Sequence, residues 1–434
     1  MVSALLADPA RLFYAAAGIV LLATLGVIVH VWPKAGVALF VASIAVSTDL
    51  RDPISVLATS VAGIQAGPLD VLAATMLVSA VVRIGSGQAR GRHLVWIFLL
   101  VGVLGLNILR GVDAFGLQGA VNEARSWIYL FSAAAFCATA PIRDARWWTR
   151  LGILYCGWLT FRIVTGLAAT GLQPVTSYIE VSGQLVDPRP ITASAAVVLA
   201  QVMLLVTART FHRREFVAVF VLAALLVVIQ HRTVWFAAAG GLAYLALTKL
   251  RDGGRGRLAV VLGGGGLATV SVAALLTGLV QRSAVAVSAS NLTASNNTFS
   301  WRLTGWRELL QDHVTPTAVL LGKPFGSGFR RLIGGQVVDV SAHSHYLETF
   351  LRFGLVGLFA TGMAFVLAWR AASAVEPVTQ GLRPTLVVVI FFGITYRCDP
   401  IQGILIGTIL GVAAPQVRSV RPLPVGPRVA LASA

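Results

Sequence analysis

Apolar runs long enough to cross a bilayer recur along most of this chain, separated by short clusters of Lys and Arg. That pattern fixes its solvent. Hydrocarbon offers no water to satisfy backbone N–H and C=O groups, so runs of about 17 to 25 apolar residues close their hydrogen bonds internally as helices. Composition agrees where it decides. Hydrophobic residues make up 57% of the 434 residues and charged residues only 12%, with a mean hydropathy of +0.81; a soluble domain carries about 25% charged residues. The expected fold is all-α, a polytopic membrane helical bundle, with the whole chain, 1–434, forming one membrane domain.

Candidate spans fall near 11–31, 34–49, 69–84, 94–111, 125–141, 147–170, 190–209, 215–231, 232–249, 257–280, 346–370 and 383–414. The last is long enough for a hairpin broken at Asp399 and Pro400, and 53–67 reads as a short span or a re-entrant piece. The count is therefore about 12 to 14 spans. Residues 11–31 follow no basic n-region and precede no small-residue cleavage site, so they read as a retained span. The net charge of +17 sits in clusters at 83–93, 143–150, 209–214, 249–257, 370–383 and 418–428. Spread between apolar runs, these are topology signals that place their loops in the cytoplasm, and no nucleic-acid partner is expected. The Ala, Val, Gly and Arg content suggests a GC-rich bacterial coding sequence, and the expected location is the bacterial cytoplasmic membrane. Cys137, Cys156 and Cys398 are dispersed without metal-ligand spacing and read as packing residues.

Counting outward from the basic clusters, 111–124, 170–190, 230–233 and 281–345 face the other side. Loops as long as 281–345 are usually functional. This one opens with a Ser, Asn and Thr-rich run, 283–300, and continues into a segment where Leu303, Trp306 and Leu310 share one helical face. It reads as an interfacial amphipathic helix. The glycine run 263–266 lies inside a candidate span, where it favours close helix packing.

Arg189, Arg232 and Arg302 all lie at or near outer span ends, as does His343. Positive-inside statistics place arginines on the opposite side, and binding an anionic diphosphate is a sufficient reason for these exceptions. His343 is the candidate catalytic base, with His345 the alternative. Glu348 either orients the imidazole or pairs with Arg352 four residues on, and the ion pair is the favoured reading. Gly326 and Gly328 either form a backbone nest for phosphate or serve loop turns. No Asp-x-Asp metal motif occurs, and no metal or cofactor is expected.

The stretch 230–357 resembles the core region of the O-antigen ligase and polymerase (Wzy-type) superfamily. The resemblance rests on Arg232-Thr233 between two spans, Ser300-Trp301-Arg302 with Trp306 downstream, the loop Gly322-Lys323-Pro324-Phe325-Gly326-Ser327-Gly328-Phe329, then His343-Ser344-His345-Tyr346-Leu347 and Gly354-Leu355-Val356-Gly357. It implies a C-type glycosyltransferase-like membrane fold with a long outer loop. The implied activity is metal-independent, inverting transfer from a polyprenyl-diphosphate-linked glycan to a lipid or glycan acceptor at the outer face of the membrane. Arg189, Arg232 and Arg302 would neutralise the diphosphate, and His343 would take the acceptor proton. A repeat-unit polymerase of the same fold uses the same residues. A lipid-linked glycan transporter is the rival from another class, with charged residues near the midplane; the one-sided placement here favours an enzyme.

Overall fold

The computed structural model describes residues 9–47, 59–61, 64–140, 142–171, 179–181, 184–186, 189–208, 213–251, 298–333, 336–374 and 381–413. Over these described residues the fold is mostly helical (83%) and forms an all-α bundle. Its helices are α1 (Pro9–Val31), α2 (Pro33–Ser47), α3 (Pro68–Gly85), α4 (Arg92–Thr139), α5 (Ala145–Thr170), α6 (Ala193–Thr207), α7 (Arg213–Val228), α8 (Arg232–Arg251), α9 (Thr298–Gln311), α10 (Pro316–Leu321), α11 (His345–Ala374), α12 (Leu382–Thr395) and α13 (Pro400–Ala413). Three antiparallel hairpins interrupt them: β1 (Thr59–Val61) with β2 (Ile64–Ala66), β3 (Ile179–Val181) with β4 (Gln184–Val186), and β5 (Arg330–Ile333) with β6 (Gln336–Asp339).

Among the described residues four helices are long and apolar enough to cross a membrane, α3, α4, α5 and α11, or five if the bent pair α1–α2 counts as one span. This is fewer than the 12 to 14 expected, for three reasons. First, α6, α7, α12 and α13 have only 14 to 16 residues. At 1.5 Å per residue they reach about 21–24 Å, short of a hydrocarbon core of about 30 Å. Second, α4 runs 48 residues through two expected spans and the loop expected at 111–124, broken only at Gly116. A straight helix of that length would measure about 72 Å. Instead its two arms fold back, bringing Gly111 against Ala120. Third, the expected span 257–280 lies outside the described residues, as do the glycine run 263–266, most of the run 283–300 and the cluster 418–428. The described part of 53–67 is neither span nor re-entrant helix but the β1–β2 hairpin and the start of its connection to α3.

Lipid-facing surface is plain on several helices: Leu21, Leu109, Leu154 and Phe359 are all more than 60% exposed. A soluble protein would not display them together. Inside the bundle the tightest helix pair is α4 with α13. Gly403, Gly407 and Gly411, spaced four apart, sit directly on the Leu130, Ala134 and Cys137 carbonyls of α4. Lipid tails are as apolar as leucine, so close backbone approach rather than water exclusion holds such a pair together.

The segment expected as the long loop is not structureless. It carries α9, α10 and the β5–β6 hairpin over a small core of its own, Leu309, Phe329, Ala342 and Leu351, with Trp306 packed against it. The expected amphipathic face is only half right. Leu303 and Leu310 are exposed, whereas Trp306 is tied inward by its indole N–H donating to the Ala342 carbonyl at 2.6 Å.

This cap is locked to the bundle where two glycines meet. Gly322 ends α10 at φ 82° against the Arg352 carbonyl, and Gly354 breaks α11 at φ 61° against the backbone of Leu320 and Leu321. A side chain at either position would clash with backbone and strain a left-handed conformation. Asn107 of α4 closes the junction, its amide donating to the carbonyls of Leu321 (2.7 Å) and Arg352 (2.8 Å).

Candidate functional site

The α12–α13 turn, 396–399, is the hub of one end of the bundle. Tyr396 stacks on Phe392 at 5.4 Å and on the His343 ring at 5.9 Å. The Arg302 guanidinium lies 5.1 Å above the Tyr396 ring and donates to the Thr395 carbonyl at 3.1 Å. Arg232, at the start of α8, is within electrostatic reach of Arg189, Arg302 and Tyr396 together. Of the four sequence candidates, Arg302 and His343 thus meet the Tyr396 ring directly, Arg232 is within electrostatic reach of it, and Arg189 joins the group through its reach to Arg232. Among the described residues neither Arg232 nor Arg302 has a carboxylate partner within 4.0 Å.

Arg189 is held in place from α8. His231 is buried, with Nε2 2.8 Å from the Ile191 carbonyl and Nδ1 3.0 Å from the Arg189 guanidinium. A carbonyl only accepts, so Nε2 carries the proton and Nδ1 accepts from Arg189. The residue before it, Gln230, has φ 56°. The other non-glycine residue with positive φ among the described residues is His343, also at 56°. Strained backbone of this kind persists where the surroundings over-determine it. Here both instances flank the arginine group.

The surroundings of His343 show how the strain is maintained. Glu348, fully buried on the first turn of α11, accepts from the His343 backbone N–H at 3.2 Å and from the Ser341 hydroxyl. Arg331 donates to the carbonyls of Val340 (2.7 Å) and Ser341 (3.3 Å). Burial first, and then the charge of Arg302 with smaller contributions from Arg331 and Arg397, pushes the His343 imidazole down to about 4. At neutral pH its ring is uncharged and able to accept a proton.

Three sequence readings are corrected here. The favoured Glu348–Arg352 ion pair does not form; Glu348 lies 3.5 Å from Arg397, and Arg352 pairs with Glu123 of α4. Glu348 does not orient the imidazole either, because it holds the backbone of His343 rather than its ring. The Gly326–Gly328 nest is real but already filled: the Glu123 carboxylate accepts from the N–H groups of Gly326 (2.5 Å) and Gly328 (3.3 Å). Arg352 grips the same loop from beneath, donating to the Pro324 and Gly328 carbonyls and the Ser327 hydroxyl. A partly exposed carboxylate thus takes the place a phosphate would need.

His345, the alternative base, is buried two residues away. It stacks on Trp127 at 5.3 Å, and its Nδ1 accepts from the Cys398 N–H at 3.4 Å. Its surroundings are those of a packed core residue.

Sequence reasoning missed Tyr396, Arg397 and Glu123. Tyr396 and Arg397 lay just before the hairpin break read at Asp399 and Pro400, where an arginine at an outer hairpin tip is the same anomaly that singled out Arg189, Arg232 and Arg302. No family model matches this chain, and no curated protein sequence matches it.

Proposed function

We propose that this protein is a membrane glycosyltransferase of O-antigen ligase type, acting at the outer face of a bacterial cytoplasmic membrane with a C-type glycosyltransferase-like fold. Its donor is a glycan on a polyprenyl diphosphate and its acceptor a different lipid or glycan. One observation carries the reading: Arg302 and an uncharged His343 share the Tyr396 ring, with Arg232 in electrostatic reach of that ring and Arg189 in reach of Arg232. A diphosphate becomes a good leaving group once its charge is neutralised, and preorganised guanidinium groups in a site poor in water do this without paying for reorganisation at the moment of reaction.

The reaction balances on these residues. The acceptor hydroxyl oxygen attacks the anomeric carbon and forms the new C–O bond. The bond from that carbon to the diphosphate breaks, and its electron pair leaves on the diphosphate oxygen, stabilised by Arg189, Arg232 and Arg302. The hydroxyl proton passes to the His343 ring. In-line attack inverts the anomeric centre, so a product of retained configuration would contradict this mechanism. A repeat-unit polymerase differs only in its acceptor, a second lipid-linked repeat.

The test is transfer from a synthetic polyprenyl-diphosphate oligosaccharide by purified protein in EDTA, beside His343→Ala and Arg232→Ala. Transfer by the wild type that falls about 10²–10⁴-fold in His343→Ala, and comparably in Arg232→Ala, is the expected result. Donor binding without transfer to any of several acceptors would refute the enzyme reading in favour of a transporter. The acceptor end of the product separates ligase from polymerase.

A further inference from the structure

A concavity of about 690 Å³ lies between α4, the β5–β6 hairpin and the α12–α13 turn. It falls in the range of small-ligand pockets. We infer that this cleft is the acceptor site and that it takes the uncharged, polyhydroxylated end of a glycan. The inference deepens the glycosyltransferase reading and rests on it.

Position is the first argument. Two backbone stretches border both the cleft and the arginine group, and each gives one residue to either. Tyr396 faces the arginines and Arg397 lines the cleft; His343 stacks on Tyr396, and Ser341, two residues earlier, lines the cleft. In-line displacement needs the leaving diphosphate and the incoming hydroxyl on opposite sides of the anomeric carbon. With the diphosphate at the arginines, the hydroxyl arrives from the cleft, with His343 at the boundary to take its proton.

Charge is the second. Carboxylates of Glu123, Asp339 and Asp399 and guanidinium groups of Arg125 and Arg397 share the cleft wall. Several are already neutralised by neighbours: Arg125 lies 3.0 Å from Asp70, and Glu123 pairs with Arg352. An anionic ligand would meet carboxylates here, whereas sugar hydroxyls both donate and accept and suit a wall of mixed groups. Asn122 and Ser126 add an amide and a hydroxyl from α4.

Rigidity is the third. Asp339 accepts from the Phe329 N–H at 2.8 Å, Glu123 fixes Gly326 and Gly328, and the Tyr129 hydroxyl donates to Asp70 at 2.6 Å. A wall held this way loses little freedom when a ligand binds.

The test uses full-length protein in detergent carrying Ser126→Cys, a near-isosteric change in the cleft wall. The rate of maleimide labelling at this thiol is measured alone, with oligosaccharides released by mild acid from the native host's envelope glycan, and with inorganic diphosphate. Expected is slower labelling with the oligosaccharides and none of that protection from diphosphate. In transfer assays Ser126→Trp should raise the acceptor KM about tenfold while the donor KM holds. Equal labelling in all three conditions, or protection by diphosphate alone, overturns the assignment. The labelling assay needs no turnover. Protection in a protein that never transfers upholds the sugar site and overturns the glycosyltransferase reading; transfer without protection does the reverse.

Discussion

The arginine group around Tyr396 and the cleft behind it lie on opposite sides of the same turn, yet their charge is arranged in opposite ways. In the first, Arg232 and Arg302 have no carboxylate partner among the described residues, so like charges are held close in an arrangement that an anion would relieve. In the second, every guanidinium has a carboxylate nearby, and the charge closes on itself. The difference teaches that a membrane protein can place two oppositely arranged charge groups a few residues apart, provided the connecting backbone is pinned. Here Glu348 and Arg331 pin one stretch, and the His345 N–H, donating to the Tyr396 carbonyl at 3.1 Å, ties it to the other.

The comparison breaks most visibly at Arg302. Replacing it with alanine removes a donor to the leaving group and should lower kcat about 10²–10³-fold with the acceptor KM nearly unchanged. Ser126→Trp should show the converse split, so a variant pair that moves both parameters together would merge the two regions into one site. Steady-state transfer with donor and acceptor varied separately distinguishes these outcomes.

A smaller effect is expected at Tyr396, whose ring face carries both Arg302 and His343. Tyr396→Phe keeps the ring and should stay within about threefold of wild type. Tyr396→Ala loses the cation–π contact and the stacking platform and should cost about tenfold or more in kcat, in line with the 0.5–2 kcal/mol such contacts contribute. Equal losses in the two variants would assign the role to the hydroxyl instead.

How much of this could be read from the chain follows from which signals are local. Apolar runs declare helices because backbone hydrogen bonding in lipid leaves no alternative. Arg189, Arg232 and Arg302 stood out because positively charged ends on the unexpected side break a topological rule, and His343 as a histidine base on the same side. What stayed hidden depends on distant partners. Nothing near Glu348 reveals that Arg352 prefers Glu123, more than two hundred residues earlier, or that Glu123 also fills the Gly326–Gly328 nest. Nor does sequence spacing show that α4 bends at Gly116 and returns, a fold-back that turns a supposed loop into cleft wall. The glycine repeat Gly403, Gly407, Gly411 went unread in the sequence, and only its place on α4 shows what it packs against.

The smallest expected effect concerns pH, and it separates the two regions by electrostatics alone. His343 titrates at about 4, below its ordinary 6.5, chiefly because it is buried and then because Arg302 repels the imidazolium. The folded protein therefore keeps the neutral base well below neutral pH. Lowering the pH from 8 to 5.5 should change kcat/KM for donor by less than about twofold, with the acid limb appearing only near 4. Once a diphosphate sits among the arginines, its negative charge offsets Arg302, so the limb in kcat should lie above the limb in kcat/KM. The stability sign is also fixed. An unfolded His343 takes a proton below 6.5 while the folded one does not until about 4, so the protein loses stability as pH falls through that window. Substituting Arg302 with an uncharged residue should raise the kcat/KM limb. A limb that stays in place would mean that burial alone sets this imidazole and that the arginine group does not act on it.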